Sequence, residues 1–329
     1  MKHPILNVKI TGTGSYTPAN IVTNQDIEKY ASTTDAWIVQ NIGVKERRVV
    51  TDEITSDLAA KAAMNAISAS GLSANDIDLI IVATSTPDRL APSTACIVQD
   101  KIQAYDAVAF DLAAVCSGFI FALTTAAQFI ANRVYKNVLV IGADTFSKIT
   151  DWSRRDCVFF GDGAGAVVLS QDDNDNGLLS FRLHSDGRGK FNFTIPGGGS
   201  ENPISQKTLD NGLRYFKMDG KAVFETAVKV LPEVINEVLT DTGYLIGDIK
   251  WIIPHQPNIN ILKETALRLD IPFEKVLTNL ERYANTSAGT IPILLDETFR
   301  SGKIATGDLV MFAAVGSGWT WGAALLKWV

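Results

Sequence analysis

The sequence has few of the residues that bind metals or form disulfides. Among its 329 residues are 3 histidines and 3 cysteines, Cys96, Cys116 and Cys157, without paired spacing. An odd number of cysteines and no CxxC pair favour neither a disulfide framework nor a zinc site. We therefore expect no metal ion, and we interpret Cys96 and Cys157 as small buried hydrophobic residues.

Clustered basic residues and long apolar runs are also lacking. The formal net charge is -6 at pH 7, and binding of nucleic-acid phosphates needs clusters of Lys and Arg, so we expect no nucleic-acid partner. No apolar run approaches the roughly 20 residues that cross a bilayer. The first residues, MKHPILNVKITGTG, lack the apolar centre of a signal peptide. We expect a cytoplasmic globular protein that does not bind membranes.

Apolar strand-like segments alternate with alanine-rich segments along the chain. The stretch TSDLAAKAAMNAISASG has helical apolar spacing between a Thr or Ser cap and Gly71, and the following DIDLIIVATS is typical of a strand covered on both faces. Further on, the pattern predicts strands at AVAFDLAAV, NVLVIGADT and GAGAVVLSQD, and a helix at CSGFIFALTTAAQFIANR. The alternation predicts an α/β fold.

Two distant segments resemble each other. SANDIDLIIVATSTPD is similar to LIGDIKWIIPHQPN, which aligns Asp76 with Asp248. Such an echo indicates an internal duplication. The strand ends at Thr84–Thr86 and at His255 then occupy equivalent places, and open α/β sheets have their sites at such ends.

The duplication divides the chain. We predict an N-terminal half over residues 1–175 and a C-terminal half over 176–329, packed as one compact unit. The segment 185–212 is rich in Gly, Asn and Ser, and we interpret it as a loop between the halves or as a lid over a pocket.

Cys116 lies where the strand AVAFDL gives way to a helix of small and apolar residues. At a helix start, unpaired backbone N–H groups and the positive end of the dipole favour a thiolate and lower the thiol pKa. We expect Cys116 to be a nucleophile. The alternative is a buried structural cysteine in a tight turn.

His255 and Asn285 are weaker candidates by themselves. His255 ends a predicted strand in IIPHQPN, where Pro254 and Pro257 restrict the backbone beside it, and it could be a general acid or base or a structural residue. Asn285 lies in YANTSAG, which alone predicts only a turn.

Two glycine-rich stretches, FGDGAGA and VGSGWTWG, do not match a phosphate-binding loop. Close backbone packing is the expected role of the first. In the second, the small residues Gly316, Ser317 and Gly318 would let a backbone N–H approach a substrate and bind an oxyanion.

Five motifs, in order, resemble those of the β-ketoacyl-acyl-carrier-protein synthase III family of the thiolase superfamily. They are DLAAVCSGF, FGDGAGAVVL, PHQPN, NTSAGTIPILLDE and GSGWTWGAALL. The resemblance runs from ITGTGSYTP to the C-terminus. It implies a thiolase-like fold, in which two duplicated βαβαβαββ halves form α, β, α, β and α layers, and it implies a homodimer.

The resemblance also implies a catalytic triad of Cys116, His255 and Asn285. Cys116 would take the acyl group of an acyl-coenzyme A primer, and His255 and Asn285 would help decarboxylate a malonyl thioester, whose carbanion attacks the acyl-cysteine. The β-ketoacyl product would initiate fatty acid synthesis or a related specialised pathway. The backbone N–H groups of Cys116 and of Gly316–Gly318 would hold the oxyanion. No cofactor is implied, since the coenzyme A thioesters are substrates.

Coenzyme A contacts follow from the same resemblance. Trp37 matches the residue that stacks on adenine, Arg154 matches the basic residue on the other side of that base, and Asn258 belongs to the PHQPN motif beside them. Without the resemblance, we would interpret Trp37 as a core residue and Arg154 as a charged residue exposed to solvent.

Several positions depart from the family pattern. Asn260 and Glu225 replace basic residues that dock the acidic acyl carrier protein, which should weaken that association. Asn41 replaces an arginine near the coenzyme, although Arg47 belongs to a basic group close enough for phosphate contacts. An acyl carrier protein therefore stays a possible partner with a weakened docking face.

The predicted acyl pocket departs as well. Ala91 stands where many members present a phenylalanine to the partner subunit, and Val315 replaces the phenylalanine that commonly precedes the glycine triplet. Smaller residues leave more volume, so the pocket could admit a primer longer or bulkier than acetyl.

Two other functions stay open. One is an acyltransferase that passes the Cys116 acyl group to an alcohol or amine without decarboxylation, which a weakened carrier face would suit. The other is a non-catalytic binding protein with this fold, which would not need all three catalytic residues.

Overall fold

Two large β-sheets alternate with three layers of helices in this computed structural model, which describes residues 6–172 and 176–329. The strands are β1 Val8–Tyr16, β2 Ile21–Thr23, β3 Glu46–Arg48, β4 Leu79–Ala83, β5 Val108–Leu112, β6 Asn137–Thr145, β7 Asp162–Gln171, β8 Gly177–Ser185, β9 Phe193–Thr194, β10 Lys217–Met218, β11 Trp251–Pro254, β12 Leu309–Gly316 and β13 Thr320–Lys327. The helices are α1 Asn24–Ile27, α2 Asp35–Asn41, α3 Thr55–Ser70, α4 Thr94–Ile102, α5 Gly118–Ala131, α6 Gln206–Asp210, α7 Gly220–Thr242, α8 Ile259–Arg268, α9 Leu280–Tyr283 and α10 Thr290–Arg300.

Helices α5 and α10 lie between the two sheets. Their apolar side chains share one buried cluster with β4 of the first sheet and β12 of the second. Helices α3 and α4 cover the outer face of the first sheet, and α7 and α8 cover the outer face of the second. All five residues of β4 are buried, because Leu79, Ile81 and Ala83 face α5 while the alternate residues face α3. The layered α/β fold predicted from the sequence is confirmed.

The two sheets have the same strand order. The first is β1-β7-β6-β4-β5 and the second is β8-β13-β12-β11. A parallel bridge from Ile252 of β11 to Val276 takes the place that β5 has in the first sheet. The internal duplication is therefore visible in the topology.

Short motifs before equivalent strands repeat in the same way. Asp76 and Asp248 each end a 3-10 turn, and each carboxylate accepts the backbone N–H at the start of its turn. Gly71 and Gly243 end α3 and α7 in the left-handed region, with φ of 74° and 78°, where glycine avoids the steric cost of a Cβ atom.

Helix α3 begins differently from the prediction. Ile54, rather than Thr or Ser, is its N-cap residue, and Asp57 accepts the Ile54 N–H at 2.9 Å. The hydroxyl of Thr55 instead donates to the carbonyl oxygen of Thr86 at 2.6 Å, because the helix start is packed against the end of β4.

The glycine-rich segment 185–212 lies after β8 and before α7, inside the second half rather than between the halves. Its strand β9 pairs with β10 and places Phe193 against the cavity described below. The division at residue 175 stays a prediction, and residue 175 itself lies outside the described residues. Across 6–172 and 176–329, no helix has the length and apolarity needed to span a membrane.

Candidate active site

Cys116 lies in a 3-10 turn, Val115–Ser117, that joins β5 to α5. Val115 has a left-handed φ of 47°, which costs a non-glycine residue about 1 kcal/mol or more. The end of β12 packs against this turn so closely that a Cβ atom on Gly316 would lie 3.0 Å from the Cys116 nitrogen. Glycine at 316 therefore lets two backbone segments meet beside the thiol.

Asn285 and Ser287 occupy the corresponding turn of the second half. The turn Ser287–Gly289 leads into α10, and Ser287 has a left-handed φ of 52°, like Val115. The Asn285 side-chain oxygen accepts the Ser287 N–H at 2.8 Å. The Asn285 amide nitrogen is thereby oriented to donate elsewhere.

His255 follows β11 directly and is buried. Its Nδ1 atom lies 2.8 Å from the hydroxyl of Thr290, and that hydroxyl donates to the Ser287 carbonyl oxygen at 2.9 Å. Because a hydroxyl has one proton, Thr290 accepts the proton of Nδ1, and Nε2 keeps a free lone pair.

Burial controls the protonation of both groups. It raises the pKa of the Cys116 thiol to about 12, against the opposing hydrogen bonds of Ser287 and Asn285, and the carboxylate of Asp144 raises it further. It lowers the pKa of His255 to about 3. The prediction of a thiolate stabilised by the helix start alone is therefore wrong for this structure, because loss of hydration outweighs the local dipole. The resting pair is a neutral thiol and a neutral imidazole.

Cys116, His255 and Asn285 line one cleft, whose empty volume is about 740 Å³ with the open solvent at its mouth included. Val315, Gly316 and Ser317 line it as well, as do Asn258 and a set of mostly apolar residues: Phe159, Phe160, Phe193, Met218, Gly220, Val223, Phe224, Ala227, Pro257, Ile261 and Trp319. The structure thus brings together the three predicted catalytic residues and part of the predicted oxyanion loop.

One wall of the cleft is a cluster of phenylalanines. Phe160 stacks on Phe146 with ring centroids 4.4 Å apart and meets Phe216 edge-on at 4.9 Å, and Phe193 stacks on Phe216 at 5.6 Å. All four rings are buried. This aromatic cluster fills the space beside Asn285, whose backbone bridges to Phe160.

Ser317 connects the oxyanion loop to the same wall. Its hydroxyl donates to the Phe193 carbonyl oxygen at 2.5 Å. Gly318, the other predicted oxyanion residue, follows it with a φ of 143°. The serine in this triplet therefore has a structural contact that a glycine would lack.

At the predicted coenzyme site, the arginine that contacts Trp37 is Arg155 and not Arg154. The guanidinium carbon of Arg155 lies 3.7 Å from the Trp37 ring centroid, and both residues line a shallow surface pocket. Arg154 instead donates to the Phe216 carbonyl oxygen at 3.2 Å and pairs with Asp156. Arg155, rather than Arg154, therefore contacts this tryptophan in the structure. That Arg154 lies on the other side of the adenine base stays a prediction.

Arg47 is not available for phosphate contacts. It is fully buried, and its guanidinium donates to the Val22 and Val158 carbonyl oxygens and to Asn24. The prediction that Arg47 is close enough to contact coenzyme phosphates was wrong, because on β3 its side chain points inward, whereas those of its neighbours Glu46 and Arg48 point outward.

Asn258 caps α8 and donates to the Asn41 carbonyl oxygen at 3.0 Å.

The predicted docking residues and Ala91 lie outside the cleft, whereas Val315, the other predicted acyl-pocket residue, lines it. Glu225 is exposed on α7, 3.8 Å from Lys221, and Asn260 donates to the Asn41 carbonyl oxygen at 2.9 Å. Ala91 is exposed in the segment between β4 and α4, and it does not line the cleft of its own chain.

The sequence interpretation missed Ser287, Thr290 and Asp144, all of which are buried. Ser287 and Thr290 follow Asn285 closely in the chain, so the sequence could have indicated that they lie near it. Nothing near Asp144 in the sequence indicates a site, because the residues that it meets come from other elements.

Comparisons with known proteins agree with this fold. The family model described as 3-oxoacyl-[acyl-carrier-protein (ACP)] synthase III matches residues 110–187, and the model of its C-terminal part matches residues 239–328. The chain is 47% identical to beta-ketoacyl-[acyl-carrier-protein] synthase III of Clostridium acetobutylicum, over 98% of this chain and 99% of that one. It is 45% identical to the protein of the same name from Desulfitobacterium hafniense strain Y51, over 98% of each chain.

Solved structures give the same result. The crystal structure of 3-oxoacyl-[acyl-carrier-protein] synthase III from Aquifex aeolicus VF5 matches with a TM-score of 0.91 and 42% identity, over 98% of this chain and 100% of that one. The fold is that of a thiolase-like condensing enzyme. The chain belongs to the 3-oxoacyl-[acyl-carrier-protein] synthase III family.

Proposed function

We propose that this protein joins an acyl-coenzyme A primer to a malonyl thioester, with loss of carbon dioxide, through an acyl group on Cys116. The observation that supports this most directly is the meeting of the Cys116 thiol, the His255 imidazole and the Asn285 carboxamide at one apolar cleft. The names of the relatives, which are β-ketoacyl and 3-oxoacyl synthases, agree with this reaction.

In the first step, the Nε2 lone pair of His255 takes the Cys116 proton. The thiolate attacks the thioester carbonyl, the bond from that carbon to the coenzyme A sulfur breaks, and His255 returns the proton to the departing sulfur. The imidazolium that forms, with a pKa of about 3, returns this proton readily. Because the thiol has a pKa of about 12, the first proton transfer is unfavourable by itself and occurs together with the attack of the sulfur on the thioester. Cys116 and His255 are both neutral before the step, and the acyl-cysteine, His255 and the coenzyme A thiol are neutral after it.

In the second step, the carbon–carbon bond to the malonyl carboxylate breaks and its electron pair forms an enolate. The Asn285 amide donates to the enolate oxygen. His255 would be a second donor in the tautomer protonated on Nε2, which forms when Nε2 gains a proton from solvent and Nδ1 loses its proton to solvent while the cleft is open, and the Thr290 hydroxyl then donates to Nδ1.

The carbanion then attacks the acyl-cysteine. Backbone N–H groups of Cys116 and of Gly316–Gly318 hold the oxyanion until the carbon–sulfur bond breaks. The released thiolate takes up a proton from solvent, which restores the resting thiol. Overall, an acyltransferase reaction is followed by condensation, and no cofactor takes part.

The partners are proposed on the same basis. The enzyme acts in the cytoplasm as a homodimer, with Ala91 of each subunit directed toward the other's acyl pocket. The malonyl group arrives on coenzyme A or on an acyl carrier protein, and the Lys221–Glu225 pair on α7 would weaken docking of the acidic carrier.

Intact-protein mass spectrometry after incubation with acyl-coenzyme A esters, from acetyl to about dodecanoyl, tests the first step. Addition of malonyl thioester labelled in its free carboxylate then tests the second. An adduct absent from Cys116→Ala, followed by labelled carbon dioxide, is expected. Transfer of the acyl group to an alcohol or amine without labelled carbon dioxide would favour the acyltransferase alternative, and no adduct from any ester would overturn the proposal.

A further inference from the structure

The segment 186–219, which we call the strap, contributes part of the cleft wall. Phe193 of β9 and Met218 of β10 both line the cleft, and they are register partners. Their two strands form a small sheet that is separate from both large sheets. A two-stranded ribbon is marginally stable by itself, so the position of the strap beside the cleft depends on its contacts with other elements.

Three contacts bind the strap to the oxyanion loop and to Trp319, which follows it. The backbones of Asp186 and Trp319 exchange hydrogen bonds of 2.8 and 2.6 Å. Gly189 meets the indole of Trp319 so closely that a Cβ atom there would lie 2.1 Å from the ring. The Ser317 hydroxyl donates to the Phe193 carbonyl oxygen at 2.5 Å. Of these three contacts, only the last holds a strap residue that lines the cleft.

The other side of the oxyanion loop packs against the turn that contains the nucleophile Cys116. A Cβ atom on Gly316 would lie 2.9 Å from the backbone nitrogen of Ser117. The Thr320 hydroxyl lies 3.1 Å from the Ser317 carbonyl oxygen and 2.7 Å from the Ser117 hydroxyl. Ser317 is therefore bound to the strap through its side chain and connected to the nucleophile turn through its backbone.

This connection matters because the proposed oxyanion donors belong to the loop. Backbone N–H groups of Gly316–Gly318 stabilise an oxyanion when they lie about 2.7–3.1 Å from it, so a small displacement of the loop weakens them. An acyl group on Cys116 extends into the cleft that Phe193 lines. Phe193 and the oxyanion donors thus act on the same acyl group, one on its chain and the others on its carbonyl oxygen.

We infer that Ser317 is a positioning residue that couples the size of the acyl primer to the oxyanion N–H groups, through its hydrogen bond to Phe193. A short primer leaves Phe193 in place, and the donors stay aligned. A longer primer displaces Phe193, and the displacement reaches the oxyanion loop through the Ser317 hydroxyl, so loading slows. The inference rests on the proposed function, because it takes Cys116 as the residue that is acylated.

Amide hydrogen exchange tests the hold on the strap without any substrate. Ser317→Ala removes the hydroxyl, and residue 317 lies outside the left-handed region, so alanine adds no backbone strain. Peptides that contain β9 and β10 should exchange about fivefold faster, since one hydrogen bond contributes about 1 kcal/mol. Ser317→Thr keeps the donor and should exchange at the natural rate. Ser70→Ala is the matched control, because the Ser70 hydroxyl also donates to a backbone carbonyl, at 2.7 Å, and lies away from the cleft.

Acyl loading tests the coupling itself. Rates of adduct formation on Cys116 are measured by mass spectrometry with acetyl- and hexanoyl-coenzyme A. Ser317→Ala should slow acetyl loading about fivefold at saturating ester, with little change in the ester concentration that gives half the maximal rate, because the donors act in the transition state. The ratio of hexanoyl to acetyl loading should rise about fivefold, since the longer group no longer displaces the loop. Ser317→Thr should keep the natural ratio.

A double variant separates coupling from two independent effects. Phe193→Leu makes room for the longer group and keeps the backbone carbonyl, so Ser317→Ala should change the loading ratio less in this background than in the natural protein. Equal changes in both backgrounds, or equal slowing of both esters by Ser317→Ala, would overturn the inference. Unchanged hydrogen exchange in Ser317→Ala would also overturn it, whether or not any ester loads. Failure of every ester to load the natural protein would instead overturn the proposed function.

Discussion

The Nδ1 atom of His255 and the hydroxyl oxygen of Thr290 lie 2.8 Å apart, and the Thr290 proton points to the Ser287 carbonyl oxygen. This one hydroxyl determines which imidazole nitrogen has the proton. It therefore connects the geometry of α10 to the basicity of Nε2 at the cleft.

Replacing Thr290 with Val should lower the condensation rate by about tenfold to a hundredfold, because Nδ1 loses its partner and the ring is no longer held in one tautomer. Steady-state kinetics measures the change. Thr290→Ser keeps the hydroxyl and should restore most of the rate. Equal losses in the Val and Ser variants would mean that packing of the methyl group, rather than the hydrogen bond, matters.

His255 should make the protein less stable in acid. Its pKa is about 3 when folded and 6.5 ordinarily, so between these values the unfolded state binds a proton that the folded state does not. The stability from the neutral ring is complete above pH 6.5 and is lost toward pH 3, at up to about 1.4 kcal/mol per pH unit.

Urea unfolding of the natural protein and of His255→Gln at several pH values measures this loss. The stability of the variant relative to the natural protein should rise as the pH falls below 6.5. Asp162, with its pKa raised from 3.8 to about 6, has the opposite slope in both proteins and cancels in the comparison. A constant difference across this range would contradict a neutral buried His255.

The aromatic cluster should restrict the primer to short acyl groups. Replacing Phe193 with Leu removes ring volume from the wall of the cleft, so loading of six- to eight-carbon esters relative to acetyl should increase about tenfold. Competition between acyl-coenzyme A esters, read as adduct masses on Cys116, measures the ratio. Phe312→Leu is the matched control, because Phe312 is buried in the core and does not line the cleft, and a similar shift there would assign the effect to general loosening.

Ala91 provides a separate test of the acyl pocket and of the homodimer. If Ala91 reaches the partner's pocket, Ala91→Phe should shift the primer preference toward shorter acyl groups. The preference is measured with the same competition assay, and light scattering gives the oligomeric state. An unaltered preference in a dimeric variant would remove Ala91 from the pocket.

Arg155, and not Arg154, should affect coenzyme binding through Trp37. A cation–π contact is worth about 0.5–2 kcal/mol, so Arg155→Ala should raise the KM for the acyl-coenzyme A ester about threefold or more with little change in kcat. Arg154→Ala should instead lower the melting temperature, because Arg154 binds the Phe216 carbonyl and Asp156. A larger KM effect from Arg154 would restore the original assignment.

The sequence by itself determined the order of elements and the duplication, and its resemblance to a known family indicated the three candidate catalytic positions. Apolar runs such as LIIVA specify buried strands through local composition. The turns are fixed by hydrogen bonds of Asp76 and Asp248 to nearby backbone and by the left-handed conformation of Gly71 and Gly243. These effects act over a few residues, and pattern analysis detects them for that reason.

Only the tertiary structure decided the chemistry around the thiol. Ser287 and Asp144 meet Cys116 from different elements, and the pKa of the thiol rises because dehydration by the packed layers outweighs the helix start. The choice between Arg154 and Arg155 depends on which carbonyls and carboxylates lie nearby after folding. Desolvation and side-chain orientation depend on atoms far apart in the sequence, so local patterns could not predict them.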